Sequence, residues 1–231
     1  MKYFALICAR GGSKGLINKN LKKINNIHLI GHAINIAKSI KKITKIIVST
    51  DCKKIAKIAK HYGAEVPFLR PKEISSDKSH EIDAWKHAID FLISKNFHYD
   101  ALISLPCTAP LRLSMDVHKC IRMFETKKFD SVITIKNAHR NPYFNMVRKK
   151  KNFFEIAIKS KNYIYNRQQA PELLDVCTIC YISSISFVSK FDNLFQGKVG
   201  AIKIPQNRSI DIDNNDDYQL AKYLYEKKIR I

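Results

Sequence analysis

The chain has 231 residues, of which 45% are hydrophobic and 10% aromatic, a composition typical of a globular protein. No apolar run approaches the roughly 20 residues needed to cross a bilayer, and no signal-peptide cleavage site follows the N-terminal apolar stretch. We therefore expect a cytoplasmic protein without membrane insertion. The net charge of +21 raises a basic nucleic-acid-binding protein as an alternative, but the lysines are dispersed along the chain, so we expect no nucleic-acid partner.

Short apolar runs alternate with longer segments of helical period, which is the pattern of β-strand and α-helix units around a mainly parallel sheet. The predicted strands are 3–8, 45–49, 65–69, 101–105, 131–135, 177–183 and 199–204. The predicted helices are 29–40, 53–62, 81–95, 115–127 and 216–228. After residue 136 the alternation gives way to aromatic, Lys-rich, strand-like pieces. We expect one α/β domain over residues 1–231, with 137–175 as an inserted segment.

The stretch CARGGSKGLINKN, residues 8–20, follows the first predicted strand. Its spacing matches neither G-x-x-x-x-G-K-[ST] nor G-x-G-x-x-G, which disfavours a P-loop ATPase and a dinucleotide-binding enzyme. Gly11 and Gly12 let backbone N–H groups approach an anion closely. Arg10 would supply a planar guanidinium and Lys14 a point charge. The stretch is either a phosphate site or a Gly-rich turn with incidental surface charge.

The stretch SIDIDNNDD, residues 209–217, is the strongest acidic signal in the chain. Asp211 and Asp213 alternate with isoleucines, so an extended chain turns both carboxylates to one side, where they could hold Mg²⁺. The acids at 216 and 217 precede an apolar helix and suit its first turn. Because Mg²⁺ bridges protein carboxylates to phosphate oxygens, the glycine-rich loop and the acidic pair together predict a nucleotidyltransferase.

Five motifs, ARGGSKG-(x)₃-KN, STD, LRPKEISSD, CTAPLR and SIDID, resemble in order the acylneuraminate cytidylyltransferase family, the CMP-sialic acid synthetases. The resemblance implies a Rossmann-like fold of the nucleotide-diphospho-sugar transferase type and a homodimer formed through the inserted segment. It also implies that CTP reacts with an anionic nine-carbon keto sugar acid to give a CMP-sugar and pyrophosphate. The alternative substrates are the eight-carbon 3-deoxy-octulosonate or another nucleotide–sugar pair.

The resemblance also implies roles for individual residues. The nucleotide would be bound by Arg10, Gly11, Gly12, Ser13, Lys14, Lys19, Asn20 and Arg70. Among them, Lys19 would lie by the α-phosphate, Asn20 by the ribose and Arg70 by the cytosine. Arg167 of NRQQAP would meet the sugar carboxylate, and Tyr181 would pack near the sugar. The catalytic residues would be Lys19, Arg10, Asp211 and Asp213, and the last two would coordinate Mg²⁺.

Three stretches bear on which sugar is used. Sialic acid enzymes commonly read LQPTSPLR where this chain reads LPCTAPLR, so Pro106 stands at the position of a Gln expected to contact the sugar. Small hydroxyl residues usually follow the SSD of the third motif, whereas this chain has KSHE, residues 78–81. HRNPYFN, residues 139–145, resembles the branch that activates legionaminic acid-type sugars. The group that accepts the proton of the sugar hydroxyl stays open between a carboxylate of the Asp211/Asp213 pair and a metal-bound water.

Overall fold

The structure is a computed structural model and describes residues 1–77 and 79–229. In that range the strands β1 to β10 are Tyr3–Cys8, Lys23–Ile24, Ile27–His28, Ile43–Ser49, Ala101–Ser104, Ser131–Asn137, Val147–Lys150, Phe153–Ile156, Leu174–Ser184 and Val199–Lys203. The helices α1 to α6 are Leu29–Ser39, Lys53–His61, Glu81–Ser94, Ser114–Phe124, Ile185–Lys190 and Asn215–Glu226. No helix within the described residues is long and apolar enough to cross a membrane.

The central sheet has the strand order β10-β6-β9-β5-β1-β4. Strand β1 pairs in parallel with β4 and β5, and β10 pairs in parallel with β6, whereas β9 runs antiparallel to both β5 and β6. The expected α/β fold with a mainly parallel sheet is confirmed. Because parallel strands end at the same edge of a sheet, the loops that follow β1, β4 and β5 meet there.

The sheet has a hydrophobic core on each face, and the side chains of β1 alternate between them. Tyr3, Ala5 and Ile7 join the core formed with α1, α2, α4 and α6. Phe4 and Leu6 join the core formed with α3 and α5. A strand buried on both faces reads as a continuous apolar run, which explains why YFALIC identified β1 from sequence.

Most predicted elements are confirmed with small shifts at their ends, but the strand predicted at 65–69 is wrong. Glu65 forms a single parallel bridge with Ile47, and residues 66–69 are not a strand. Pro67 has no N–H to donate to a strand ladder. The chain instead bends back so that the Arg70 N–H donates to the Thr50 carbonyl at 2.8 Å, which places Arg70 beside the loop after β4.

The chain leaves the central sheet between β6 and β9. Asn137 and Leu174 are paired neighbours on these strands, so the intervening residues begin and return at the same place. They contain the antiparallel hairpin β7–β8, on which Glu155 forms ion pairs with Arg148 and Lys150. We call residues 138–173, between β6 and β9, the outlying segment. It carries the exposed aromatic side chains Phe153, Phe154, Tyr163 and Tyr165.

Candidate active site

A cavity of about 500 Å³ lies where the loops after β1 and β5 meet the 70–81 segment. The predicted site residues that line it are Arg10, Ser13, Lys14, Lys19, Asn20, Arg70 and Asp213. The lining therefore brings together four cationic side chains, and with them the carboxylates of Asp77, Glu81 and Asp213. A concave site with convergent cations suits an anionic ligand.

The glycine-rich loop after β1 is held by hydrogen bonds from two directions. The Gly11 N–H donates to Asp51 Oδ1 at 2.8 Å, so the Asp of the STD motif anchors the loop to the end of β4. The Asn20 side-chain amide donates to the Arg10 carbonyl at 3.0 Å. Neither Gly11 nor Gly12 is among the lining residues, and the Gly11 N–H already has its acceptor. Their predicted contacts with phosphate stay predictions.

Two cations of this loop converge on one carboxylate that the sequence analysis did not single out. Asp77 forms ion pairs with Arg10 and with Lys14, the second at 2.5 Å. Hydrogen bonds from Lys14 and then Arg10 lower the pKa of the Asp77 carboxyl, although that side chain is exposed. Its position in SSD, within the third motif, was the available signal. The Asp77 carboxylate thus takes the place between two cations where a phosphate was expected.

The acidic segment of SIDID reaches the same cavity from the far end of the chain. Lys19 Nζ lies 3.0 Å from Asp213 Oδ1. The Ile212 N–H donates to the Thr108 carbonyl at 2.9 Å, which ties the segment to the loop after β5. A Cβ on Gly15 would overlap the backbone oxygen of Asp213, so the absence of a side chain at Gly15 permits this approach. Lys19 and Gly15 therefore both lie against Asp213.

Asp211 is less accessible than Asp213 and is not among the lining residues. Its Oδ1 is buried and has no hydrogen-bond partner in the part of the chain that the structure describes. Within that part, no group of three or more His, Cys, Asp or Glu side chains could hold a metal ion. An unpaired oxygen on Asp211 and the carboxylate of Asp213 nevertheless fit Mg²⁺, which commonly binds one or two protein carboxylates and completes its shell with phosphate and water.

A buried ion pair fixes the turn that precedes SIDID. Arg208 Nη2 donates to Asp116 Oδ1 at 2.7 Å and Arg208 Nε to Asp116 Oδ2 at 3.3 Å, with both side chains buried. Asp116 Oδ2 also accepts a bond from the Leu113 N–H at 3.0 Å, at the start of α4. No motif marks either residue in the sequence. The pair joins α4 to the chain just before Asp211.

Arg112, the last residue of CTAPLR, is buried in the core, where it stabilises the fold. Its guanidinium donates to the carbonyls of Pro106 at 2.7 Å, Thr178 at 3.2 Å and Ile179. Burial lowers the pKa of Arg112 to about 10, so the group remains charged at neutral pH. Arg112 thereby ties the loop after β5 to β9, which explains why an Arg belongs at this point in the fourth motif.

The structure does not bring the two predicted sugar-binding residues into the cavity lining. Arg167 is exposed in the outlying segment, where its guanidinium donates to the His139 carbonyl. Tyr181 lies on β9 and packs against Trp85 with ring centroids 6.2 Å apart. Burial raises the pKa of the Tyr181 hydroxyl. Their predicted roles remain predictions.

Glu81, the first residue of α3, is a lining residue that the sequence analysis did not place in the site. Its Oε1 accepts hydrogen bonds from Ser104 Oγ at 3.1 Å and from Trp85 Nε1 at 3.2 Å. Desolvation by the surrounding protein raises the pKa of the Glu81 carboxyl, although the side chain is open to the cavity. The two hydrogen bonds lower this pKa and oppose the effect of desolvation only in part. The KSHE departure from the family pattern was the signal; Lys78 lies outside the described residues.

Comparison with known proteins gives matches over nearly the whole chain. Residues 4–229 match the model of a family described as cytidylyltransferase. Post-translational flagellin modification protein B of Campylobacter coli is 36% identical over 225 residues, which cover 96% of this chain and 94% of that protein. CMP-N,N'-diacetyllegionaminic acid synthase of Campylobacter jejuni is 34% identical over 227 residues, with 96% and 94% covered.

A solved structure gives a match of fold. CMP:2-keto-3-deoxy-manno-octonic acid synthetase complexed with CTP has a TM-score of 0.71 to this chain at 16% identity, with 99% of this chain and 100% of that chain covered. At this identity the likeness concerns the fold alone.

Proposed function

The chain belongs to the cytidylyltransferase family, and we propose that it activates a nonulosonic acid with CTP, giving the CMP-sugar and pyrophosphate. The observation that carries this proposal is the 34% identity, over 96% of the chain, to a CMP-N,N'-diacetyllegionaminic acid synthase. The cationic cavity supports it, because both proposed substrates are anions. The contact between Lys19 and Asp213 supports it further by joining the proposed phosphate loop to the proposed metal ligands.

CTP would bind with its triphosphate along the glycine-rich loop. Arg10 and Lys14 would exchange the Asp77 carboxylate for phosphate oxygens, a replacement of one anion by another with more charge. Arg70 is buried except for its cavity face, and its Nε donates to Ser75 Oγ at 3.1 Å, which orients the guanidinium. We assign Arg70 to the cytosine and Asn20 to the ribose, following the family resemblance.

In the reaction, the anomeric hydroxyl of the sugar acid attacks the α-phosphorus of CTP and the bond to the pyrophosphate oxygen breaks. Negative charge grows on the α-phosphate and on the leaving pyrophosphate as this happens. Lys19, held by Asp213, would oppose the charge at the α-phosphate, and Arg10 and Lys14 would oppose it on the leaving group. Preorganised cations of this kind require little reorganisation during the reaction, so positioning and electrostatics supply most of the rate.

Asp211 and Asp213 would hold Mg²⁺ at the same place. When bound, the ion would supply the positive charge that stabilises the phosphate oxygens. The two carboxylates cannot supply it, because they are anions themselves. The unpaired buried oxygen of Asp211 supports this assignment, because a buried carboxylate oxygen without a partner is costly in the free protein.

The sugar is assigned to the legionaminic acid type on two grounds. The HRNPYFN stretch resembles that branch, and the relative from Campylobacter jejuni is named for N,N'-diacetyllegionaminic acid. Sialic, pseudaminic and 3-deoxy-octulosonic acids are the competing substrates that the experiment must separate.

We also propose a homodimer and a cytoplasmic location. The exposed aromatic side chains of the outlying segment provide apolar surface that a second copy could cover. Arg167 lies on that segment outside the cavity lining of its own chain, so a contact between Arg167 and the sugar requires a second chain or a movement of the segment. Sedimentation analysis of the purified protein measures the oligomeric state directly.

The decisive experiment measures pyrophosphate release from CTP with each of the four sugar acids side by side. The proposal expects turnover with a nonulosonic acid, fastest with N,N'-diacetyllegionaminic acid, and loss of turnover on chelation of Mg²⁺. Asp211→Asn should abolish turnover, whereas Asp216→Asn, in the first turn of α6, should retain it. The proposed function fails if none of the three nonulosonic acids supports CTP-dependent pyrophosphate release.

A further inference from the structure

Two side chains of opposite charge, Arg70 and Glu81, line the cavity on either side of the end of β1. Arg70 is attached beside β4, because its backbone N–H donates to the carbonyl of Thr50, the residue that follows this strand. Glu81 is attached to β5, because Ser104 Oγ donates to its Oε1 at 3.1 Å. Since β1 lies between β4 and β5 in the sheet, the two attachments hold Arg70 and Glu81 on opposite sides of β1.

Cys8, the last residue of β1, lines the cavity at the same place. Burial raises the pKa of the Cys8 thiol, the charge of Glu81 raises it further, and the charge of Arg70 lowers it. Desolvation raises the pKa of the Glu81 carboxyl, and the charge of Arg70 opposes that effect. The three side chains are therefore close enough to act on one another. They form the end of the cavity that the proposed function assigns to the cytosine.

Both charged groups are oriented by contacts that leave part of each group open to a ligand. Arg70 Nε donates to Ser75 Oγ at 3.1 Å, whereas its two Nη atoms have no hydrogen-bond partner among the described residues. Glu81 Oε1 accepts the bonds from Ser104 and Trp85, whereas Oε2 accepts none from the described part of the chain. This end of the cavity thus offers a ligand a planar donor on one side and a carboxylate oxygen on the other.

The hydrogen-bonding edge of cytosine has the same polarity. The exocyclic amine at one end of that edge donates hydrogen bonds, and N3 and O2 beyond it accept them. A guanidinium can donate to N3 and O2, and a carboxylate can accept from the amine. Uracil carries the acceptor O4 in place of the amine, so a carboxylate at that position would repel it.

We propose that Glu81 selects CTP over UTP by accepting a hydrogen bond from the exocyclic amine of cytosine through Oε2, while the Nη atoms of Arg70 donate to N3 and O2. This inference rests on the proposed function, because it extends the assignment of Arg70 to the cytosine. The amine replaces the hydrogen bonds that Oε2 loses when a nucleotide displaces solvent. O4 of UTP displaces the same solvent and returns no donor, which leaves a desolvated carboxylate oxygen without a partner.

The test measures the affinities for CTP and UTP by calorimetric titration without a sugar acid. Wild-type protein should bind CTP about 100-fold more tightly than UTP, and Glu81→Gln should reduce this ratio about 10- to 100-fold. The Gln amide can present its carbonyl to the amine or its NH₂ group to O4, so it discriminates poorly. It also keeps an acceptor for Ser104 and Trp85 and should fold. Asp90→Asn, which removes a charge from an exposed position of α3, should retain the wild-type ratio.

A CTP analogue with hydrogen in place of the exocyclic amine isolates the proposed hydrogen bond. Wild-type protein should bind it about 10- to 100-fold more weakly than CTP, whereas Glu81→Ala should bind the two about equally. The inference is overturned if Glu81→Gln retains the wild-type ratio of CTP to UTP affinity. It is also overturned if Glu81→Ala weakens CTP, UTP and the analogue by the same factor, because Glu81 would then only support the pocket. Wild-type protein that binds CTP but turns over no nonulosonic acid would instead refute the proposed function.

Discussion

Lys19 Nζ and Asp213 Oδ1 lie 3.0 Å apart although 194 residues separate them in the chain. The Lys19 side chain is 15% exposed, whereas that of Asp213 is 73% exposed, so the cation is held in the wall of the cavity and the acid at its opening. The pair joins the glycine-rich loop to the acidic segment. Because the Lys19 ammonium group is already held in the cavity wall, it needs little rearrangement to bind a phosphate.

Replacing Lys19 should affect catalysis far more than folding. Lys19→Met is expected to reduce kcat about 100- to 1,000-fold, because it removes a charge that opposes the growing charge of the transition state. The melting temperature should change little, since a partly exposed ion pair contributes about 0–1 kcal/mol to stability. Lys41→Met, at an exposed site, is the matched control. Unchanged pyrophosphate release in Lys19→Met would contradict the assignment.

Asp77 should compete with the triphosphate for Arg10 and Lys14. Asp77→Asn removes the negative charge that binds these cations, so we expect it to bind CTP several-fold more tightly than wild type. Calorimetric titration with CTP, before sugar acid is added, measures this affinity. Glu73→Gln changes the same charge at an exposed position of the same segment and should have no effect. Weaker CTP binding by Asp77→Asn would show that Asp77 supports the nucleotide site and does not compete with the ligand.

The two glycines Gly15 and Gly12 should respond differently to the same substitution. A Cβ at Gly15 overlaps the Asp213 carbonyl oxygen, whereas a Cβ at Gly12 meets no atom within 4 Å. Gly15→Ala should therefore cost about 1–3 kcal/mol of stability through overpacking and should reduce turnover by displacing Asp213. Gly12→Ala should leave the free energy of unfolding unchanged in the absence of ligand. Equal denaturation midpoints for the two variants would be evidence against the close approach of Gly15 to Asp213.

The buried ion pair between Arg208 and Asp116 should be important for stability. Arg208→Met leaves the Asp116 carboxylate buried without its cation and is expected to cost about 3–5 kcal/mol in urea unfolding. Lys222→Met breaks an exposed pair with Glu226 on α6 and should cost about 0–1 kcal/mol. A small loss in Arg208→Met would mean that water or another donor satisfies Asp116.

The alternation of apolar strands and amphipathic helices made most of the fold predictable. In α2, Ile55 and Ala59 are buried, and β1 is buried on both faces. The prediction of a strand at 65–69 was wrong because an apolar run bounded by turn residues does not show where the chain bends. That bend depends on Pro67 and on the bond from the Arg70 N–H to the Thr50 carbonyl, a contact between distant loops.

Site residues that belong to a recognisable sequence motif could be predicted. Residues that belong to the site only through contacts in the folded chain could not. Arg10, Lys14, Lys19 and Asp213 stand in recognisable stretches, and the structure gathers them around one cavity. Asp116 and Arg208 stand in no motif, because a buried ion pair requires only that two distant side chains meet. The same is true of the hydrogen bond that orients Glu81 toward Ser104.

The sequence by itself determined the fold class, the cationic character of the loop after β1 and the pair of acids near the end of the chain, since these depend on local residue order. Only the tertiary structure decided that Asp77 pairs with the loop cations, that the Gly11 N–H donates to Asp51 and that Glu81 accepts a hydrogen bond from Ser104. The physical reason is that pairing depends on distance in space. Residues far apart in the chain compete for the same few donors and acceptors, and folding selects which of them meet.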